Sequence, residues 1–343
     1  MTTDITIQTF IDNIENYDLI IDARSPAEYK RSRIQNAVNY YALDDKEHQE
    51  IGTVHKQISP FEARVKGASY VCKNAVEHIQ ALYKSFTPGA KIAIYCARGG
   101  MRSSSLATIF SSIGYRIDRV NGGYKAYRAF MLPRLENFDA YRFITLTGLT
   151  GCGKSELLER LDNVIDLEKM ANHYGSVFGE ARGEQPTQKE FQNRAAHNIL
   201  KLNPQIPVFI EAESKKIGHI IIPSNLHKSM SAGLRVEITA PLQSRIERIV
   251  KMYSHINTEF FSQCMEKITP YIKHTDKLDI IAEYEKGELS KVAEILLTQY
   301  YDKVYKKTLP PDIIINNENL SKTLETLRGL QQEMSEKSQY GIN

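Results

Sequence analysis

In the stretch YCARGGMRSSS, residues 95–105, a cysteine closes an apolar run, two glycines stand between two arginines, and serines follow. Glycines let successive backbone N–H groups turn inward as a nest, and a helix that starts behind them aims its N-terminus at the same spot. Arg98 and Arg102 add positive charge to this loop, whose other members are Gly99, Gly100, Met101 and Ser103. Such a cradle binds an anion and lowers the pKa of Cys96, which makes its thiolate a nucleophile at neutral pH. Two chemistries share the arrangement: transfer of a sulfur-family atom, and attack on a phosphate ester, since Cys96 to Arg102 also reads C-x5-R followed by Ser103. A strand-end cysteine can also be an inert small hydrophobe.

A second loop is less ambiguous. Residues 148–155, GLTGCGKS, form a complete G-x-x-x-x-G-K-S between a strand pattern and a helix pattern. The amides around Gly148, Gly151 and Gly153 predict a cradle for a di- or triphosphate, with Lys154 on the outer phosphates and Ser155 placed to ligate Mg²⁺. The motif reads phosphates and not what they are attached to, so a nucleotide and another diphosphate ester both fit. Cys152, inside the loop, reads as filler. Beyond it, IPVFIEAESKKIG puts Glu211 and Glu213 at a strand end. There they could reach a metal or its water, or pair with Lys215 or Lys216.

The elements that must carry these residues follow from periodicity. DLIIDAR, AVNY and KIAIYC read as strands, and SPAEYKRSRI as a helix starting at Ser25 with Pro26 in its first turn. Leu106, Ile109, Phe110 and Ile113 fall at i, i+3, i+4 and i+7 on a helix ending at Gly114, and RIDRVNGGYKAYR adds a strand, a Gly-Gly turn and a short helix. Cys96 thus sits at the carboxyl end of a strand, where open α/β sheets gather ligands. From Tyr141 on, RFITLT, NVIDLE, IPVFIEAE, LRVEITA and DIIINN alternate with helical patterns, which predicts a parallel sheet. The expected organisation is α/β throughout, with one domain over 1–138 and a P-loop domain over 139–343 that carries a helical region at about 243–307.

Composition narrows the setting. The N-terminal MTTDITIQTFIDNIENYD has neither a basic n-region nor an apolar h-region, and no stretch reaches membrane-spanning length, so the expectation is a cytoplasmic protein without a membrane partner. Cys72, Cys96, Cys152 and Cys264 are widely spaced with no C-x-x-C pair, so neither a disulfide framework nor a cysteine zinc site is indicated. Net charge is +3, but residues 98–134 hold seven basic residues against Asp118, 7 − 1 = +6. That stretch could be an RNA track or a solvated basic face. TQYYDKVYKK, with Tyr300, Tyr301 and Tyr305 among Lys303, Lys306 and Lys307, could stack on RNA or form an amphipathic helix with an aromatic core side.

At this point several blocks share a resemblance. DARSPAEYKRSRIQNAVNY, the Cys96 loop and VNGGYKAYR resemble a rhodanese domain, and a rhodanese domain joined to a P-loop domain resembles the bacterial tRNA 2-selenouridine synthases. GTVHKQISPFEA, LEKMANHYGSVFG, EAESKKIG and YYDKVY are similar to blocks of that family, in the same order. Ala97 stands where the family usually has tryptophan, Asn36 where a glycine is common, and the chain has no tryptophan at all. The resemblance implies a rhodanese-like fold followed by a P-loop NTPase-like fold. It also implies replacement of sulfur by selenium in wobble 2-thiouridine of tRNA, with selenophosphate as donor and S-geranylation from geranyl diphosphate. Cys96 would then carry selenium as a selenylsulfide or assist displacement, Arg98 and Arg102 would hold the donor, and Lys154 and Ser155 the prenyl diphosphate. It further implies no permanently bound cofactor, Mg²⁺ through Ser155, and tRNA and a selenophosphate-supplying enzyme as partners. Two alternatives stay open on the residues: a sulfurtransferase or cysteine phosphatase fused to an ATP-dependent kinase, and a non-catalytic RNA-binding module.

Overall fold

The structure, a computed structural model, describes residues 2–305 and 309–339. The chain divides into two units, one running to Arg134 and including Gln192–His197, the other made of Leu135–Phe191 and the chain from Asn198 on.

In the first unit the strands are β1 (Thr2–Ile5), β2 (Leu19–Asp22), β3 (Ala37–Asn39), β4 (Lys91–Tyr95) and β5 (Arg116–Val120), all parallel in the order β1-β5-β4-β2-β3. Every residue of β2, and β4 from Ile92 to Tyr95, is buried, the continuous apolar pattern of strands covered on both faces. The order reverses between β2 and β4, so the chain leaving β4 enters the crevice at the switch point, and Cys96 is its first residue. Ser25 and Glu28 close a capping box on the helix Pro26–Arg31, as the Ser-Pro start predicts. The helix Met101–Ser112 buries Leu106 and Phe110, but Ile113 is 44% exposed. Its buried face ends a turn early because Ile113 already leaves the helix and Gly114, at φ +104°, turns the chain away.

One buried ion pair ties this unit together. Asp22, with no exposed surface, accepts from Arg24 Nε at 2.9 Å and Nη2 at 2.6 Å and from Tyr95 Oη at 2.8 Å. The Arg24 guanidinium also donates to the Ser32 carbonyl at 2.6 Å and lies 3.9 Å from the Tyr124 ring centre. These contacts link β2, β4, the end of the Ser25 helix and the helix Gly123–Met131.

The second unit holds β6 (Phe143–Thr147), β7 (Val164–Ile165), β8 (Val208–Glu211), a small antiparallel hairpin of β9 (Lys216–Ile217) and β10 (Ile220–Ile221), then β11 (Leu234–Thr239) and β12 (Ile313–Asn316). The five longer-range strands pair in parallel as β12-β11-β6-β8-β7, as their five sequence patterns predict. The helical region between β11 and β12 runs through Leu242–Tyr253, Thr258–Ile268, His274–Glu285 and Leu289–Ile295 into a π-helical turn, Leu296–Tyr301. Tyr300 is buried there, on the core side of the TQYYDKVYKK stretch, whose Lys306 and Lys307 lie outside the described residues. Among the described residues no helix is long and apolar enough to cross a membrane.

Removing one partner of a buried pair leaves the other charge uncompensated. Asp22→Ala is therefore expected to lower the stability of the first unit by about 3–5 kcal/mol, read as a shift of its urea unfolding midpoint.

Candidate functional site

Two candidate sites stand at the carboxyl ends of the two sheets. In the first, Cys96 is 3% exposed, and Gly100 N–H points at its Sγ over 3.1 Å. Ser103 Oγ lies 3.3 Å from the sulfur and 3.1 Å from the Gly100 carbonyl. Burial pushes the thiol up, but hydrogen bonds from the Ser103 hydroxyl and N–H and from the Arg98 N–H, with the charge of Arg102, outweigh it and bring the thiol below its ordinary value. The helix Met101–Ser112 starts directly behind Gly100 and adds its N-terminal dipole.

The loop keeps this shape because a second turn lies against it. Tyr124 N–H donates to the Cys96 carbonyl at 2.8 Å and Lys125 N–H to that of Ala97 at 3.0 Å. Gly123, at φ +56°, comes so close that a Cβ there would stand 2.1 Å from the Cys96 carbonyl oxygen. VNGGYKAYR is thus the buttress of the thiol loop, and the contact to Ala97 is through its backbone.

The basic stretch splits in the structure. Arg102 is paired with Glu28 at 2.5 Å, and Arg119 with Asp4 at 2.5 Å. Arg98, Arg116 and Lys125 are exposed. Arg102 therefore reaches the loop already held on one side, while Arg98 faces water.

In the second site Gly148, Gly151 and Gly153 all have positive φ. Gly148 packs so tightly on β11 that a Cβ would stand 2.2 Å from the Ile238 carbonyl oxygen. Lys154 Nζ donates to the Gly148 carbonyl at 2.9 Å, and Ser155 Oγ to Glu168 Oε2 at 3.1 Å. A cleft of about 1530 Å³ opens here, with Lys154, Ser155, Glu168, Glu213, Tyr253 and Tyr305 on its walls.

The carboxylates form a set that the sequence reading saw only in part. Glu211 Oε1 accepts from Glu168 N–H at 2.8 Å, while its buried Oε2 has no hydrogen-bond partner among the described residues. Burial, with neighbouring Asp166 and Glu168, pushes Glu211 well above the usual carboxylate range. Burial and the Glu168 carboxylate push Glu213 up to about 8, against the opposing pull of Lys154. The cation facing Glu213 and Glu168 is Lys154, not Lys215 or Lys216. No cluster of three or more His, Cys, Asp or Glu among the described residues is arranged to hold a metal on its own.

Sequence reasoning did not single out Glu168, although it closes NVIDLE just beyond β7 as Glu211 closes IPVFIE. It also missed two braces from the helical region. Arg245 donates through Nε to the Thr150 carbonyl at 2.9 Å and is paired with Asp302 at 2.6 Å. Gly148 N–H donates to Tyr305 Oη at 3.2 Å. Both acceptor residues belong to YYDKVY, so this block fastens the P-loop.

A small apolar chamber adjoins the cleft and shares Thr150, Ile249 and Tyr253 with it. Its inner wall includes Phe261 and Tyr284, which stack at 3.7 Å. About 50 Å³ is open to the centres of water-sized atoms.

Known proteins carry the same combination. Residues 6–130 match the family described as Rhodanese-like domain, and residues 141–284 match tRNA 2-selenouridine synthase AAA domain. A protein named tRNA 2-selenouridine synthase from Psychromonas ingrahamii is 33% identical over 71% of this chain and 67% of its own length. One of the same name from Pseudomonas syringae pv. tomato is 35% identical over 71% of this chain and 68% of its own. A third, from Hydrogenovibrio crunogenus, is 32% identical over 83% of this chain and 88% of its own length.

Two measurements check the electrostatics. In a Cys72→Ser background, which removes the exposed thiol, alkylation of Cys96 should show a midpoint below the ordinary thiol value, and Ser103→Ala should raise that midpoint. For Glu213, whose folded pKa lies above its unfolded one, the stabilising effect is complete below about 4.5 and is lost as pH rises through about 8. The wild-type urea midpoint should therefore fall between pH 6 and pH 9 by more than that of Glu213→Gln.

Proposed function

This chain belongs to the tRNA 2-selenouridine synthase family, and from that premise we propose that it replaces the sulfur of wobble 2-thiouridine in tRNA with selenium from selenophosphate, by way of an S-geranyl intermediate made from geranyl diphosphate. The observation that carries the prenyl part is the apolar chamber beside the P-loop. A nucleoside needs polar partners for its base and ribose, and the chamber wall is almost wholly hydrocarbon. An apolar cavity stays dry and takes hydrocarbon. At roughly 10–15 Å³ per water-sized atom, its ≈ 50 Å³ suits about one isoprene unit, with the other lying along Ile249 and Tyr253 at the mouth.

In this reading the P-loop amides and Lys154 hold the diphosphate and take up its charge as it leaves. The thione sulfur attacks C1 of the geranyl group, the C–O bond breaks, diphosphate departs with the electron pair, and the base loses its ring N–H proton. Glu211 and Glu213, both pushed up by burial, hold their protons more readily than exposed carboxyls and so repel the anion less. The oxygen donors here, Ser155 Oγ with phosphate oxygens, suit Mg²⁺, which would neutralise charge on the leaving group. Selenophosphate, delivered by an enzyme that forms it, is placed at the Cys96 loop, whose nested amides and arginines suit an anion. Exposed Arg98, Arg116 and Lys125 are the residues proposed to meet tRNA phosphates in the cytoplasm.

Nucleoside mass spectrometry of tRNA incubated with enzyme, geranyl diphosphate and selenophosphate tests the reading. Lys154→Ala should weaken geranyl diphosphate binding roughly ten- to hundredfold and lower both S-geranyl-2-thiouridine and 2-selenouridine. Cys96→Ser should abolish 2-selenouridine while tRNA binding is retained. A fully selenating Cys96→Ser enzyme, or a P-loop that binds ATP and not geranyl diphosphate, would overturn it.

A further inference from the structure

We infer that Cys96 accepts the phosphoryl group of the selenium donor, not its selenium, so that the rhodanese-like loop works here as a phosphoryl-transfer site. The inference rests on the selenophosphate reading above and assigns the thiol its step within it.

Electron counting separates the two roles. In selenophosphate the selenium is bonded to phosphorus(V). A selenylsulfide on Cys96 would take selenium at the zero-valent level, leave the bonding pair on phosphorus and release phosphite. Release of phosphate along that route needs an oxidant that neither the site nor the reaction supplies. Attack by selenium on the base needs none. The selenium of selenophosphate adds to C2 of the S-geranyl base, the C2–Se bond forms, the C2–S bond breaks, and geranylthiolate leaves with the pair and takes a proton. The nucleoside then carries selenium with the phosphoryl group still attached. Cys96 Sγ attacks that phosphorus, the S–P bond forms, the P–Se bond breaks, and the pair returns to selenium as 2-selenouridine. Water cleaves the S–P bond, phosphate leaves, and the thiolate is restored. Nothing is oxidised or reduced.

The loop is built for that second half. A phosphoryl group brings three oxygens that need donors, whereas a sulfur-bound selenium is a single atom. Gly100 N–H and the N–H groups of Arg98 and Ser103 converge on the thiol. Cys96 and Arg102 stand at C-x5-R spacing. Glu28 holds Arg102 through Nη1 alone, which fixes the guanidinium and leaves its other N–H donors for oxygens. Ser103 Oγ, 3.3 Å from Sγ, is placed to donate to the thiolate as water displaces it. The phosphatase-like spacing and the rhodanese-like fold then describe one loop with one use.

Selenophosphate carrying both ³²P and ⁷⁵Se distinguishes the roles in the full-length enzyme acting on 2-thiouridine tRNA. Acid-quenched wild type should show ³²P without ⁷⁵Se on the Cys96 peptide. Cys96→Ala should accumulate tRNA bearing both labels on one nucleoside, and Ser103→Ala should prolong the ³²P-labelled enzyme about tenfold. Selenium without phosphorus on Cys96, or a Cys96→Ala enzyme stalled at S-geranyl-2-thiouridine with no selenium in tRNA, would overturn the inference and leave the proposed function standing. Wild-type enzyme that neither geranylates nor selenates 2-thiouridine would overturn the proposed function and this step with it.

Discussion

The backbone of the thiol loop rests directly on the backbone of the turn that follows β5. Two N–H groups, of Tyr124 and Lys125, close on the carbonyls of Cys96 and Ala97, and the Cα of Gly123 fills the remaining space. No side chain fits between the two layers. The direction of Gly100 N–H toward Sγ, and the start of the helix behind it, depend on that contact being bare. The P-loop obeys the same constraint, since Gly148 sits where a side chain would strike the Ile238 carbonyl of β11. In each unit the backbone of a neighbouring element, the turn after β5 in one and β11 in the other, decides how tightly the loop is drawn.

Charge is handled in opposite ways at the two sites. Around Cys96 positive charge exceeds negative, with Glu28 engaged by Arg102 and the thiolate stabilised by the Ser103 hydroxyl and then by the N–H groups of Ser103 and Arg98. At the P-loop Lys154 faces Glu168 and Glu213, and Glu211 lies buried behind them beside Asp166 and Glu168. Burial, with the neighbouring carboxylates, pushes all three carboxyls above their ordinary range. The first site can therefore keep an anionic sulfur, and the second can admit an anionic ligand without first expelling negative charge.

What the sequence made legible follows its local physics. Glycine spacing announced both cradles, and apolar runs announced all five strands of the second sheet and four of the first. β1 was hidden because an edge strand reading TTDI has little apolar signal, and two-residue strands such as β9 and β10 have none. Glu168 enters the site because β7 pairs with β8, and Arg245 meets Asp302 across 57 residues; neither follows from spacing. The chamber is made by helices meeting, which periodicity does not describe. Ala97 is instructive in the other direction: its departure from the family's tryptophan leaves the loop's support intact, because the contact with Lys125 uses only its carbonyl.

On the proposed reading, leaving groups dictate why one chain needs two such different cradles. A thione sulfur cannot depart from the base as a stable anion until it has been alkylated, so the prenyl step must come before selenium arrives. That step needs a site that takes up a departing diphosphate while shielding hydrocarbon, and the Lys154 loop with its apolar chamber has both properties. Removing a phosphoryl group from selenium needs a nucleophile that is anionic, ringed by donors and restored by water. A hydroxyl would be too weakly acidic for that task and an amine would bring the wrong charge. The nested Cys96 thiolate meets all three requirements.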